Sequence, residues 1–262
     1  MSICNSQSVI RNFRILITLR VEGFKLQITN FKLHMPQLLL ALDTSGKSGS
    51  LALAHVAKGK PDVDILEVVP LAGGTFSAQL VPQIAALLAK HGHAKSDLSA
   101  FAAVSGPGSF TGLRVGLAAI KALAEILQKP IAAISLLEAV AWSSRNAGRV
   151  LGVIDAGRGE IYVGDYELGH GLPRMHSERS LTREEFLAQA KGARKVITPD
   201  AALAEILAAA GVPCERIAYP SSEVIARLGW QHIQHGQTVR PEDLEANYIR
   251  RSDAEIFPQP RH

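Results

Sequence analysis

"LLLALDTSGKSGSLAL" occupies residues 38–53, and "VLGVIDAGRGEIYVG" occupies residues 150–164. Each runs an apolar strand into an aspartate, Asp43 or Asp155, then through small residues and glycine into a second apolar strand. One supersecondary plan used twice predicts a duplicated unit, with a cleft where the two copies meet. Helical patterns follow the strands in both halves, so each copy is expected to be α/β.

Working outward from the first hairpin, strands are expected at 37–43, 50–56 and 64–69. A helix follows over about Ser77–Lys90, with Leu80, Ile84, Leu87 and Leu88 at helical spacing and Gly92 placed to stop it. "FAAVS" at 101–105 reads as a buried strand that feeds "SGPGSFTGLRVGLAAIKALAE", Ser105–Glu125. The helix in that stretch is expected to reach about Lys129, where Pro130 ends it before the strand "IAAIS". Ser135 with Glu138, and Thr182 with Glu185, have capping-box spacing. Beyond about residue 145 come the second hairpin, a strand at "KVITP" and a late helix within 221–236. The closing "RPEDLEANYIRRSDAE" reads as polar and partly extended. The expected division is an atypical extension at 1–34, an N-terminal subdomain at 35–140 and a C-terminal subdomain at 141–262.

The chain has 262 residues, 47% hydrophobic and 20% charged, which suits an ordinary soluble globular protein. No run approaches the roughly 18 apolar residues that span a bilayer. The net charge of +4 lies entirely in residues 1–34, where five basic side chains face Glu22 alone. The body has no global basic excess, which weakens a direct nucleic-acid reading but leaves room for a local patch. Cys4 and Cys214 form neither a metal spacing nor a disulfide framework, as in a reducing cytosol. Three readings fit residues 1–34: sequence upstream of a natural start at Met35, a strand-like arm, or an arginine-rich transit segment.

"DTSGKSG" supports two readings. Its backbone N–H groups could face a phosphate while Asp43 holds a metal or water. Alternatively it is a tight turn in which Asp43 bonds local backbone and the glycines supply positive φ. "DAGRG" at 155–159 poses the same choice, with Arg158 facing an anion or water. "GPGSFTGLR" lacks the lysine-hydroxyl ending of a phosphate loop and does not match the dinucleotide fingerprint. On the helix that follows, Arg114, Lys121, Glu125 and Gln128 share one narrow stripe, and nearly everything else is apolar. That apolar arc is roughly twice the ~100° a surface helix needs. The helix at 77–90 is similar, with Gln79, Gln83 and Lys90 on its polar stripe. Such helices are either buried within the chain or partly covered by another subunit, and Gly112 and Gly116 would allow close approach in either case. Of the nine histidines, none has the i, i+4 spacing of a helical metal pair, and His91 and His93 read as solvated. No Ser-His-Asp or Cys-His set stands out.

The segments "LLLALDTSGKSGSLALA", "SGPGSFTGLRVG", "IAAISLLEAVA", "VIDAGRGEIYVGDYE" and "ANYIRRSDAE" together resemble the TsaB (YeaZ) family, over about Met35 to Glu255. The resemblance implies an actin/hexokinase/Hsp70-like (ASKHA) duplicated α/β fold, with two subdomains built on mixed sheets. It implies a cytoplasmic, non-catalytic accessory subunit of the synthase that makes N6-threonylcarbamoyladenosine at tRNA position 37. The implied partners are the catalytic subunit TsaD and the ATPase TsaE, with a homodimer when alone, tRNA indirectly through the complex, and no membrane; whether tRNA touches this chain directly is left open. Docking would use Ser77, Leu80 and Ile84, with Gly108, Ser109, Phe110, Thr111, Gly112, Leu113, Arg114, Gly116, Leu117 and Ile120. Leu117→Glu is accordingly expected to abolish partner binding while the monomer stays folded. No catalytic residue or resident metal is implied. ATP or ADP with Mg could occupy a vestigial or interface site at Asp43, Thr44, Ser45, Gly46, Asp155 and Arg158.

The chain has no His-x-x-x-His metal motif of the TsaD kind, and "VITPDAALAEIL" stands where a Gly-Gly adenosine clamp would lie. It also departs from the family at Phe76-Ser77, where a His-Ser start is usual, and at Gly157, where arginine is frequent. Two rival readings are an ATP-dependent small-molecule kinase or ATPase using Asp43 and Asp155, and a metallopeptidase-like protein.

Overall fold

Every side chain from Leu38 to Leu42 is buried. A strand covered on both faces needs no polar alternation, which explains "LLLAL". The computed structural model describes residues 17–21, 24–28, 37–144, 147–190 and 195–249. The chain divides into two units, Met1–Met35 and Pro36–His262. In the first, β1 (Ile17–Val21) and β2 (Phe24–Ile28) pair antiparallel. They are the described part of the 1–34 extension, and the remaining expectations for that segment lie outside the described residues.

The second unit contains the predicted duplication. Strands β3 (Gln37–Asp43), β4 (Gly49–Val56) and β5 (Val63–Leu71) form an antiparallel meander. Helix α1 (Phe76–Lys90) leads to β6 (Leu98–Gly106), and α2 (Phe110–Leu127) leads to β7 (Ile131–Ser135). Both later strands join in parallel, giving the sheet order β5-β4-β3-β6-β7. After α3 (Leu136–Trp142) the plan repeats. Strands β8 (Gly148–Gly157), β9 (Glu160–Leu168) and β10 (Arg174–Thr182) form a second meander. Helix α4 (Arg183–Ala190), β11 (Lys195–Thr198), α5 (Ala201–Ala209) and β12 (Cys214–Arg216) complete the order β10-β9-β8-β11-β12. In each sheet the third, second, first, fourth and fifth strands lie side by side with the same polarities. The fold is therefore a duplicated α/β structure with two mixed sheets.

One face of the first sheet is covered by α1 and α2, through Leu40, Leu42, Leu51 and Leu53 against Leu80, Ile84, Leu117 and Ile120. The outer face of the second sheet is covered by α4 and α5. Between the sheets lie α3 and α6 (Ser222–Gln234). Helix α6 belongs to the second half by sequence and to the first sheet by packing, since it lies across β3, β4, β6 and β7. A methyl at its Gly229 would come within 2.4 Å of the Ala102 Cβ, so glycine sets how closely it approaches.

Helix ends divide the sequence expectations. Gly92 sits at φ +72° just beyond α1, where a left-handed residue closes the helix. The Thr182–Glu185 capping box forms in both directions: Thr182 N–H donates to Glu185 Oε2 at 2.8 Å and Glu185 N–H to Thr182 Oγ1 at 3.2 Å. The expected Ser135–Glu138 box does not. Ser135 Oγ accepts the N–H of Leu137, while Glu138 turns into the interior to pair with His232 Nε2 at 2.8 Å.

Candidate functional site

The end of β3 determines what the glycine-rich stretch is for. Asp43 Oδ1 accepts the backbone N–H of Ser45 at 2.8 Å and its hydroxyl at 2.6 Å, and its carboxylate is buried. Burial pushes the Asp43 carboxyl above its ordinary range, and the two Ser45 hydrogen bonds partly oppose that rise. Thr44 Oγ1 donates to the Gly112 carbonyl at 2.8 Å, and Ser109 N–H donates to the Ser45 carbonyl at 2.7 Å. A Cβ at Gly108 would meet the Ser45 carbonyl oxygen at 2.5 Å, at Gly112 the Thr44 carbonyl oxygen at 2.1 Å, and at Gly116 Thr44 Oγ1 at 2.2 Å. Four residues apart, these glycines form a flat track that leads into α2 and along its first turns, and the first hairpin turn rests on it. The close approach anticipated from their spacing is thus made to a strand end of the same chain.

The tight-turn reading of "DTSGKSG" is correct about Asp43 and wrong about the glycines, because neither Gly46 nor Gly49 has positive φ. Gly49 is small for another reason: a Cβ there would strike the Asp43 carbonyl oxygen at 2.4 Å and the Phe76 ring at 3.0 Å.

Between the two halves of this unit lies an open cleft of about 1560 Å³, with both hairpin turns on its walls. Ser45 and Gly46 line it from the first half, Asp155 and Arg158 from the second. Asp43 and Thr44, expected at a ligand site with them, are buried behind the turn and do not line the cleft. Three lining residues escaped the sequence reading. Asp200, at the start of α5, accepts the Asp155 N–H through Oδ2 at 2.7 Å. Burial chiefly raises its carboxyl, the Asp155 N–H opposes that, and the Asp155 charge adds to it. Tyr219 stands 3.4 Å from Ser45 Oγ, and its phenol is pushed up by burial and by the charges of Asp43 and Asp200. Tyr248 packs on Phe110 at the cleft mouth. A signal for Asp200 existed, because "KVITPD" repeats the pattern of an apolar strand ending near an aspartate.

The fold family suggests a magnesium–nucleotide in this cleft, and the residues present fit it poorly. Asp43 is sealed by its own turn, Asp155 Oδ1 accepts the Gly157 N–H at 2.9 Å, and Asp200 accepts from Asp155. Among the described residues no group of three or more His, Cys, Asp or Glu is placed to hold a metal ion. His91 is not simply solvated: its Nε2 lies 2.8 Å from Glu67 Oε2. His93 packs edge-on against His55.

The expected docking residues separate sharply. Leu80, Ile84, Leu117 and Ile120 are buried in the core under α1 and α2, Leu113 is buried in the core that includes α3 and α6, and Gly112 and Gly116 are buried on Thr44. In the chain alone these seven pack against its own sheet and hairpin turn. Ser77, Gly108, Ser109, Phe110, Thr111 and Arg114 are exposed. The surplus apolar arc is nonetheless real and lies elsewhere on the same two helices. On α1, Ala78, Val81, Pro82, Ala85 and Ala89 are exposed, with Val81 at 65%. On α2, Ala118, Ala122 and Ile126 are exposed, with Ile126 at 72%. No helix among the described residues is long and apolar enough to cross a membrane.

The sequence model of the family described as "TsaD: tRNA N6-adenosine threonylcarbamoyltransferase" matches residues 68–191. The Bacillus subtilis "tRNA threonylcarbamoyladenosine biosynthesis protein TsaB" is 36% identical over 51% of this chain. That match spans 57% of the relative's own length, little more than half. The Escherichia coli protein of the same description is 27% identical over 82% of this chain and 96% of its own length. A solved Pseudomonas aeruginosa structure, described as a protein with similarity to peptidase YeaZ, superposes with a TM-score of 0.66 at 28% identity. It covers 82% of this chain and all of the other.

Proposed function

This chain belongs to the TsaB/YeaZ family, and from that premise we propose that it serves tRNA threonylcarbamoyladenosine biosynthesis as a non-catalytic accessory subunit. In this reading it docks on the catalytic subunit TsaD in the cytoplasm, TsaE joins the pair, and the chain self-associates through the same face when alone. The observation that carries the reading is the exposed apolar row on each of two adjacent helices, α1 and α2. Water-facing alanine, valine and isoleucine at this density favour cover by another protein surface. A face that pairs with itself by two-fold symmetry can also receive a related subunit.

The chain performs no bond chemistry in this account. Its contribution is to bind the competent state of the catalytic subunit more tightly than other states, which raises the population of that state. The kinase-like alternative would need Asp43 as an open metal ligand, and its burial against Ser45 argues against that use.

The reading is tested by replacing the chain in cells with an Ile126→Glu variant and measuring threonylcarbamoyladenosine in tRNA hydrolysates by mass spectrometry. Loss of the modified nucleoside is expected. Undiminished modification, with the variant expressed as the sole copy, would overturn the docking account.

A further inference from the structure

At the mouth of the cleft, two aromatic side chains are ordered yet face water. Phe110, the first residue of α2, is 53% exposed, and Tyr248 is 48% exposed. Their ring centroids are 5.3 Å apart at an interplanar angle of 33°. The Arg114 guanidinium lies 3.7 Å from the Phe110 centroid, and its Nε donates to the Tyr248 hydroxyl at 3.2 Å. The surrounding backbone is pinned: Asn247 N–H donates to the Ser105 carbonyl at 2.7 Å, and Asn247 Nδ2 to Glu178 Oε2 at 2.9 Å. The platform is therefore pre-organised, and no core consumes it.

Two cations line the same cleft. Neither Lys47 nor Arg158 makes a side-chain hydrogen bond or close ion pair among the described residues, and the Lys47 charge acts on Asp200 from a distance. Arg158 also holds φ +54° between Gly157 and Gly159, a left-handed position where a side chain is disfavoured. That conformation is the one a two-residue hairpin turn between β8 and β9 demands, and it sets Arg158 at the cleft wall. The neighbouring carboxylates are occupied with backbone N–H groups, Asp155 with Gly157 and Asp200 with Asp155.

Two exposed, mutually tilted aromatic rings beside cations suit a ligand that carries bases and phosphates together. The open cleft, about 1560 Å³, exceeds the roughly 300–1,000 Å³ of small-molecule sites, which favours a strand over a mononucleotide. We infer that a single-stranded segment of RNA lies across this mouth, with a base stacked on Phe110 and Tyr248 and phosphates at Arg114, Lys47 and Arg158. The inference rests on the reading of the chain as a tRNA-modification subunit. With a net-neutral body, binding is modest and strongly salt-dependent.

The test is fluorescence anisotropy of the full chain with a labelled, unstructured RNA of about 10 nucleotides. A Phe110→Ala/Tyr248→Ala double variant should weaken binding about tenfold or more. Arg158→Gly relieves the turn and cannot fail by unfolding there; it should lower the salt slope by about 0.7. No binding by the wild type, or unchanged binding in both variants, overturns the inference. Competition by AMP at the same concentration as the RNA overturns it in favour of a mononucleotide site. Unchanged RNA binding with loss of TsaD binding in the aromatic variant overturns it in favour of a protein contact. TsaD binding is read in the same samples, so failure of the RNA contact is distinguishable from failure of the accessory-subunit reading.

Discussion

Replacing Gly112 with alanine should loosen the joint between α2 and the first hairpin. The new methyl would lie 2.1 Å from the Thr44 carbonyl oxygen, where ordinary contact begins at 3.4 Å. The obstruction is backbone, and the Phe76 ring at 3.4 Å leaves no easy way aside. Overpacking of this kind costs about 1–3 kcal/mol. Losing the Thr44 Oγ1 hydrogen bond to the Gly112 carbonyl adds about 1 kcal/mol. Alanine returns about 1 kcal/mol of helix propensity. The net destabilisation is about 2 kcal/mol, which lowers Tm by roughly 4–8 °C in a chain of this size. Urea unfolding followed by circular dichroism measures it directly. Thr44→Val serves as the companion variant, because it removes the hydrogen bond without the overlap and should cost only about 1 kcal/mol. A Gly112→Ala protein as stable as the wild type, or more stable, would refute the claim that these glycines exist to admit the hairpin turn.

Two further outcomes follow from burial. Leu117 is 6% exposed, so Leu117→Glu should cost about 3 kcal/mol or more and lower the melting temperature sharply. Ile126→Glu, at an exposed position, should melt within about 0.5 kcal/mol of the wild type; similar melting of the two would contradict the assignment of faces. Asp43 binds its proton more tightly folded than unfolded, so its contribution is fullest below 3.8 and is lost as pH rises through the raised folded-state value. Asp43→Asn removes that loss. The stability of the variant relative to the wild type should therefore grow over that window in urea titrations at stepped pH, and a gap that shrinks would exclude the buried-carboxyl explanation.

Much of the fold was legible because duplication leaves a local trace. Apolar strands ending at Asp43 and Asp155 predicted two equivalent hairpins, and the sheets repeat one strand order. Long periodic segments such as α1, α2 and α6 were equally plain, since burial of one stripe imposes its spacing on the sequence. The short or exposed elements β10, β12 and α5 gave weaker signals, because their side chains pack on few neighbours. Which of the expected docking residues face outward was not legible, for a physical reason. A helical wheel shows that an apolar arc is wide, and it does not say which half of the arc lies against the sheet. Leu117 and Ile126 look alike in sequence, and only the position of Thr44 beneath Gly112 and Gly116 fixes the helix rotation. The platform of Phe110 and Tyr248 joins residues far apart in the chain, so no local pattern could reveal it. Glu138 shows the same limit, having capping-box spacing but a partner, His232, that only tertiary packing supplies.

Size-exclusion chromatography with light scattering, on the chain alone and mixed with TsaD from the same organism, tests the central claim most directly. The account predicts a one-to-one heterodimer for the wild type and none for the folded Ile126→Glu variant. A chain whose mass is unchanged beside TsaD, or an Ile126→Glu variant that still forms the complex, would contradict it.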